Sequence, residues 1–423
     1  MKKSERFLLR VILNIRNFKY EIFEKEFIIQ LIEINLYVLF NYIKNNPLIF
    51  ISEKYENLID EYLFKSISIQ LHYIINESNK EKIEIDIKKV IEFIKLLFHS
   101  FVIPRRSYKS SFKRIEVNDY KINKKIEFLK NVYQPAQRSE EWYRYRHETL
   151  TASNIWKVFK NETTRNQLIY EKCGERKEFN KPSINSPMHW GQKYEPVSIL
   201  YYEKIYNTKI SDFGLIPHNK YSFLAASPDG INTDKNNYLF GRMLEIKNVV
   251  SREISGIPKS EYWIQMQLQM EVCELNECDF LETKFIEYLS YEEFIEDGEF
   301  NFSKDNKFKG IILAFEDKNE ELYFEYKPLD LNEEQYKLWK NKKIRENFYK
   351  GDLIKEIYWK LEFVSCILVL RNKFWFDQSL PILSKFWDII KEEKITGYQH
   401  RAPKKRIKED TKPFCLIDKT LFS

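Results

Sequence analysis

Ser227-Pro228-Asp229-Gly230, followed by a polar run and then by Leu244-Glu245-Ile246-Lys247, is the stretch whose reading decides the fold. Between the two segments lies Asp234-Lys235-Asn236-Asn237, a composition that favours a turn because Asn and Asp tolerate left-handed backbone and bond to it locally. Two short strand-like segments around such a turn read as a hairpin. Alternate residues of a strand point to the same side. Glu245 and Lys247 therefore face one way, and Ile246 turns into the core. If the strands pair, Asp229 comes near Glu245.

Two carboxylates converging on one point repel unless a cation lies between them. An all-oxygen donor set of this kind suits Mg²⁺ or Mn²⁺. Lys247 beside them is placed to hold a water or hydroxide and to counter the charge of a phosphate under attack. The set reads as metal-assisted phosphodiester hydrolysis. Neither half is specific by itself, since Ser-Pro-Asp-Gly is a good turn and a solvated strand face often yields Glu-x-Lys.

Three further segments support the reading. Upstream, Gly191-Gln192-Lys193-Tyr194-Glu195 lies in a helical pattern running through Tyr202, and Glu195 can add a third carboxylate. Further upstream stand Gln137-Arg138-Ser139-Glu140-Glu141-Trp142, Arg146 and Thr151-Ala152-Ser153. Residues 150–153 are open to starting a second helix capped by Thr151 or Ser153. A capped helix start with a nearby arginine suits a phosphate. Downstream, Tyr262-Trp263-Ile264-Gln265-Met266-Gln267 reads as a helix on which Tyr262, Gln265 and Gln269 share a face. From there Gln265 can hydrogen-bond a catalytic group or a phosphate.

In this order the motifs resemble those of the lambda-exonuclease or YqaJ-type viral recombinase family, within the PD-(D/E)xK nuclease superfamily. The resemblance covers residues 137–288. It implies an α/β fold with a restriction-endonuclease-like core, a central mixed sheet flanked by helices. It also implies a 5′-to-3′ exonuclease that degrades one strand of linear duplex DNA from a 5′-phosphorylated end. The resulting 3′ overhangs would serve DNA recombination, repair or viral genome processing, with a single-strand annealing protein as a further partner. By the family pattern Asp229, Glu245 and the main-chain carbonyl of Ile246 hold Mg²⁺ or Mn²⁺, assisted by Glu195. Lys247 positions the attacking water and Gln265 sits at the edge of the site. Arg146 and Ser153 hold the terminal phosphate. Some relatives carry an aspartate about ten residues before the Ser-Pro-Asp-Gly aspartate; here that region is Asn219-Lys220. A structure-specific endonuclease on the same core, or a silent DNA-binding scaffold, is the alternative. The scaffold predicts a lost ligand or lysine, and Asp229, Glu245 and Lys247 are all present.

Outward from this core, residues 1–103 show apolar residues at three- and four-residue spacing and read as a helical N-terminal domain. The apolar stretch 27–43 is broken by Gln30, Glu33, Asn35 and Asn41, and so reads as a buried helix, with no membrane partner. Residues 104–136 form a basic linker in which Lys and Arg alternate with Tyr108, Phe112 and Tyr120, a mixture suited to gripping a phosphate backbone. Residues 137–330 make the nuclease core, with a hairpin from 310–315 and 322–326. Residues 331–395 read as a helical C-terminal extension, and 396–423 as a basic tail containing Lys404-Lys405-Arg406.

The net charge of +6 permits a nucleic-acid partner without requiring one. Five scattered cysteines and no Cys-x-x-Cys argue against a disulfide framework, a zinc ribbon or a cysteine-held cluster. They fit a reducing intracellular compartment, which for a viral protein means the cytoplasm or nucleus of an infected host.

Overall fold

A computed structural model describes residues 20–109, 118–176 and 186–403. The first three helices are α1 (Lys25–Asn45), α2 (Tyr55–Gln70) and α3 (Lys80–Phe101). In α3, Ile83, Ile87, Val90, Ile94 and Phe98 recur every three or four residues and form one buried stripe. By length and composition α1 is apolar enough to cross a membrane. In this fold it buries Ile28, Leu31, Leu39 and Ile43 against α2 and α3. Its buried Asn35 is satisfied by Leu31, Ser66 and Gln70.

The chain then forms β1 (Tyr108–Lys109), α4 (Asp119–Asn131), α5 (Glu140–His147), β2 (Leu150–Thr151) and α6 (Glu162–Cys173). There follow α7 (Pro187–Tyr206), β3 (Ile210–Ser211), β4 (Ile216–Pro217), β5 (Leu224–Ala226), β6 (Gly230–Asn232) and β7 (Met243–Asn248). The remainder is α8 (Ser260–Cys273), β8 (Glu277–Glu287), α9 (Tyr291–Glu296), β9 (Lys309–Asp317), β10 (Leu322–Tyr326), α10 (Glu333–Asn347), β11 (Gly351–Leu370) and α11 (Lys373–Thr396).

Among the described residues the main sheet runs β10-β9-β11-β8-β7-β6-β3, with β1 added on β11. All its pairings are antiparallel except β7 with β8, which are parallel. Parallel neighbours need a long crossover, and α8 supplies it. Strand β7 is covered on both faces. Leu244 and Ile246 pack with Tyr202 of α7 and Leu281, whereas Met243 belongs to the large core that α8 also joins. This mixed sheet between helices is the expected α/β class. A second, small sheet, β2-β5-β4, lies beside it.

Glycine is required where the turn carrying Asp229 meets its neighbour. A Cβ on Gly230 would fall 2.2 Å from Ile210 Cγ2, because β3 presses directly on β6. Gly241, just before β7, has φ +79°, a backbone that L-residues rarely adopt.

Two expectations need correction. The C-terminal extension is helical only at its ends, in α10 and α11. Between them β11 is a long strand in the middle of the main sheet, paired with both β9 and β8. A boundary at 330 therefore cuts through the core sheet. Nor is 104–136 a linker. Tyr108 and Lys109 pair with Leu368 and Ile367, Arg106 is buried with its Nε donating to Phe50 O at 3.2 Å, and 119–131 form α4. Lys121 and Lys124 are exposed. Phe112, Lys113, Arg114 and the cluster 404–408 lie outside the described residues.

Candidate active site

Pairing of β6 with β7 sets Gly230 opposite Leu244 and Ile231 opposite Met243. Asp229, one step back, therefore lies beside Glu245. Its Oδ2 accepts the backbone N–H of Ile246 at 2.7 Å. The parallel partner holds β7 from the other side, with Glu245 opposite Phe280 and Lys247 opposite Glu282. At the root of β7 the buried Arg242 donates to Glu277 at 2.9 Å and Asp279 at 3.2 Å, and Tyr202 also donates to Asp279 at 2.7 Å. Burial raises the Asp279 carboxyl to about 6, against the pull of Arg242. This ionic lock fixes the register of the strand that carries the site.

Glu245 is fully buried. Its carboxylate accepts from Lys247 Nζ, from Gln265 Nε2 at 2.7 Å and from Gln269 Nε2 at 2.6 Å. Both glutamines come from α8, which explains their i, i+4 spacing. Burial pushes the Asp229 carboxyl well above the usual range, and the neighbouring Glu245 charge adds to it. Burial opposes the charge on Lys247, yet the carboxylates of Glu245 and Asp229 outweigh it and raise the ammonium. The site is a pair of mutually repelling carboxylates with one compensating cation. Lys247 also stands over the Tyr262 ring at 5.2 Å.

Glu245 stays buried and bonded to Lys247, while Asp229 and Lys247 open onto a cavity of about 480 Å³ lined also by Glu195, Ile246, Asn248 and Tyr262, with others. Glu195 reaches it from α7. Burial raises its carboxyl, against the pull of Arg138 and Lys247, and it accepts from Arg138 Nη2 at 3.1 Å. Asn248 ties α7 to β7. Its Nδ2 donates to Gly191 O at 2.8 Å, and its Oδ1 accepts from Ser198 and Thr283, each at 2.7 Å.

The donor set fits a small hard cation. Asp229, Glu245 and the Ile246 carbonyl offer oxygen only, and Mg²⁺ typically uses one or two carboxylates and keeps its remaining waters. Among the described residues no three acidic, His or Cys side chains form a metal-binding cluster. Glu195 is bonded to Arg138 while lining the same cavity as Asp229.

Arg138 has φ +65°. For an L-residue that backbone costs about 1–2 kcal/mol. Its ion pair with Glu195 is 47% and 26% exposed on the two side chains, and exposed pairs contribute only about 0.2–1 kcal/mol. The pair does not offset the strain.

Arg146 and Ser153 do meet, with Arg146 Nη2 donating to Ser153 Oγ at 2.9 Å. The route differs from the expected helix cap. Residues 150–151 are strand β2, Asn154 precedes a short 3-10 turn at Ile155–Phe159, and neither Thr151 nor Ser153 caps it. Ser139 caps α5 by accepting from Trp142 N. The Arg146 guanidinium lies 4.2 Å from the Trp142 ring centroid, which fixes its direction. Lys172 of α6 donates to Arg146 O, and burial lowers its ammonium to about 7. Around them is a second cavity of about 1250 Å³, with Arg138, Arg146, His147, Lys157, Lys172 and Arg176 on its walls.

All seven side chains expected at the site thus line or adjoin one of two cavities. Sequence reasoning missed Gln269, Asn248, Arg138 and Lys172 as members. Gln269 had a signal, since it shares the face of Gln265. The others become visible only through tertiary contacts.

Residues 141–276 match the YqaJ-like viral recombinase domain. An uncharacterized protein of Acanthamoeba polyphaga mimivirus is 33% identical over 349 residues, which cover 74% of this chain. The chain spans 62% of the length of that relative. Among solved structures, the alkaline exonuclease of Laribacter hongkongensis aligns at 18% identity and TM-score 0.36, over 60% of this chain and 94% of its own. A phage-related exonuclease from Haemophilus somnus aligns at 12% identity and TM-score 0.29, over 62% and 98%. The matched span, 141–276, falls within the 137–288 over which the motifs were read, and there the chain is similar to the YqaJ-like viral recombinase domain.

Proposed function

We propose that the protein is a metal-dependent deoxyribonuclease that removes nucleotides 5′-to-3′ from a phosphorylated end of linear duplex DNA. The observation that carries this reading is that Asp229 and Lys247 line one cavity while the buried Glu245 is bonded to Lys247 beside them, with a cationic pocket lined by Arg138 and Arg146. Asp229, Glu245 and the Ile246 carbonyl would hold the ion. A bound Mg²⁺ or Mn²⁺ supplies a Lewis acid for the phosphoryl oxygen.

The chain's own groups do the rest. Gln265 and Gln269 hold Glu245 against rotation. Lys247 orients the attacking water and balances charge building on the phosphate. The water oxygen forms a bond to phosphorus, and the bond from phosphorus to the 3′ oxygen of the terminal nucleotide breaks. That oxygen leaves with a proton, and the shortened strand keeps a new 5′-phosphate. Each cut therefore regenerates the group that Arg146 and Ser153 are suited to grip, which favours an end-directed enzyme over an endonuclease. The 3′ overhang left behind is a substrate for single-strand annealing in recombination or repair.

The test is a linear duplex with one 5′-phosphorylated end and a 3′-labelled strand, incubated with Mg²⁺, with Mn²⁺ and with EDTA. Wild type runs beside Lys247→Ala. Stepwise shortening from the phosphorylated end, abolished by EDTA and by the substitution, is expected. Cutting covalently closed circles as fast as linear DNA would transfer the reading to an endonuclease. No cleavage with either ion would leave a DNA-binding scaffold.

A further inference from the structure

We propose that Arg138 is a substrate-binding residue, gripping a backbone phosphate of the strand whose 5′ end lies at Arg146 and Ser153. The inference rests on the nuclease reading for its substrate. Its own evidence is position and strain. Arg138 lines the cationic cavity together with Arg146. Its guanidinium also reaches Glu195, which lines the carboxylate cavity. It thus bridges the two cavities, and a strand running from the end-gripping pair to the carboxylates would pass it.

The backbone beneath it is anchored to the site. Gln137 Nε2 donates to Phe213 O at 3.1 Å and to Pro228 O at 3.2 Å, next to Asp229. On the other side Ser139 caps the helix that carries Arg146. Between these anchors the chain turns through a positive φ that glycine would adopt without strain. An arginine stands there instead, half exposed, in an ion pair too weak to explain its presence. Non-glycine strain of this kind concentrates where a side chain binds something. A guanidinium is suited to phosphate because its planar fork gives two parallel hydrogen bonds. On strand entry it exchanges the Glu195 carboxylate for a phosphate oxygen, which leaves the Glu195 carboxylate without its cationic partner and free to turn toward Asp229.

Arg138→Gly separates this role from a structural one, because it removes the side chain and relieves the backbone. Binding of a fluorescein-labelled, 5′-phosphorylated duplex is followed by anisotropy in EDTA across a salt series, for wild type, Arg138→Gly and Arg138→Lys. Arg138→Gly should bind about tenfold more weakly, as expected for one lost charge-assisted contact. Its slope of log K against log salt should fall by about 0.7–0.9. Its thermal midpoint should equal or exceed that of wild type, and Arg138→Lys should keep the slope. Unchanged affinity and slope in Arg138→Gly would overturn the assignment. Because binding is read without metal, this result is separate from cleavage. Wild-type protein that never cuts DNA sinks the nuclease reading, whereas a cutting enzyme indifferent to Arg138→Gly sinks only this inference.

Discussion

Gln269→Leu isolates how the buried carboxylate is held. Glu245 has no solvent access and three donors, Lys247, Gln265 and Gln269. Leucine fills nearly the same volume and removes one of the three, a 2.6 Å bond to Oε2, together with a 3.3 Å bond to Ser227 O. A hydrogen bond to a charged group is worth about 1.5–3 kcal/mol, and a buried oxygen left without its donor loses most of that. The unfolding constant should rise roughly 10- to 150-fold. The carboxylate, freed on one side, should also lose its aim, so kcat should fall by about tenfold or more with KM little changed. Urea unfolding in EDTA reads the first effect and single-turnover cleavage the second. Gln267→Leu is the control. That residue bonds Leu370 O at 3.0 Å and Asn372 N at 2.7 Å and makes no bond to Glu245, so its loss should cost comparable stability with a clearly smaller fall in kcat. If Gln269→Leu unfolds within about 0.5 kcal/mol of wild type, the bond drawn to Glu245 is not holding a charge, and the reasoning fails.

Three other outcomes are expected. Arg146→Ala should cut the preference for 5′-phosphorylated over 5′-hydroxyl ends by about tenfold or more; equal preference in variant and wild type would remove Arg146 from end recognition. Burial lowers the Lys172 ammonium to about 7 from its ordinary 10.5, so between those values the unfolded chain binds more protons, and stability rises with pH across that window. Urea titrations of wild type and Lys172→Met at pH 7, 8 and 9 should show the wild-type curve gaining on the variant, and parallel curves would refute it. Gly230→Ala should destabilise by about 1–3 kcal/mol through overpacking against Ile210 and lower activity by displacing Asp229; adding Ile210→Ala should restore part of both, read by thermal unfolding and cleavage.

What the sequence made legible was local. A turn composition at 234–237, a strand period placing Glu245 with Lys247, and a helical spacing placing Gln265 with Gln269 each need only near neighbours. The long strand β11 was not legible, for reasons visible in its register. Pairing shifts between Leu353 and Lys355 against β9, and between Leu361 and Phe363 against β8. Each bulge resets which face a residue takes, so the two-residue alternation that marks a strand is broken. Its charges, Lys355, Glu356, Lys360 and Glu362, fall at spacings that suit a helix face equally well. At 20 residues it also exceeds ordinary strand length. The buried Arg106 was misread for a related reason. A basic run announces charge, and only the fold decides that this member turns inward onto Phe50.

Those long-range contacts change what the added segments mean. Trp263 projects from α8 about two residues from Gln265, and so nearly opposite the face that holds Glu245. Its indole stacks with Phe50 at 6.4 Å, meets Trp375 of α11 at 5.2 Å and donates to Arg106 O at 3.0 Å. The N-terminal helices, the segment before β1 and the C-terminal helix thus meet behind the helix whose front face holds the buried Glu245. Gln267 strengthens the same junction by bonding both sides of the β11-to-α11 turn. A side chain must be held within a fraction of an ångström to aim a carboxylate, and that demands rigid support from behind. The additions are therefore built into the site's backing. They share one hydrophobic core with it, and the sheet that carries Glu245 is not a module that the rest of the chain merely accompanies.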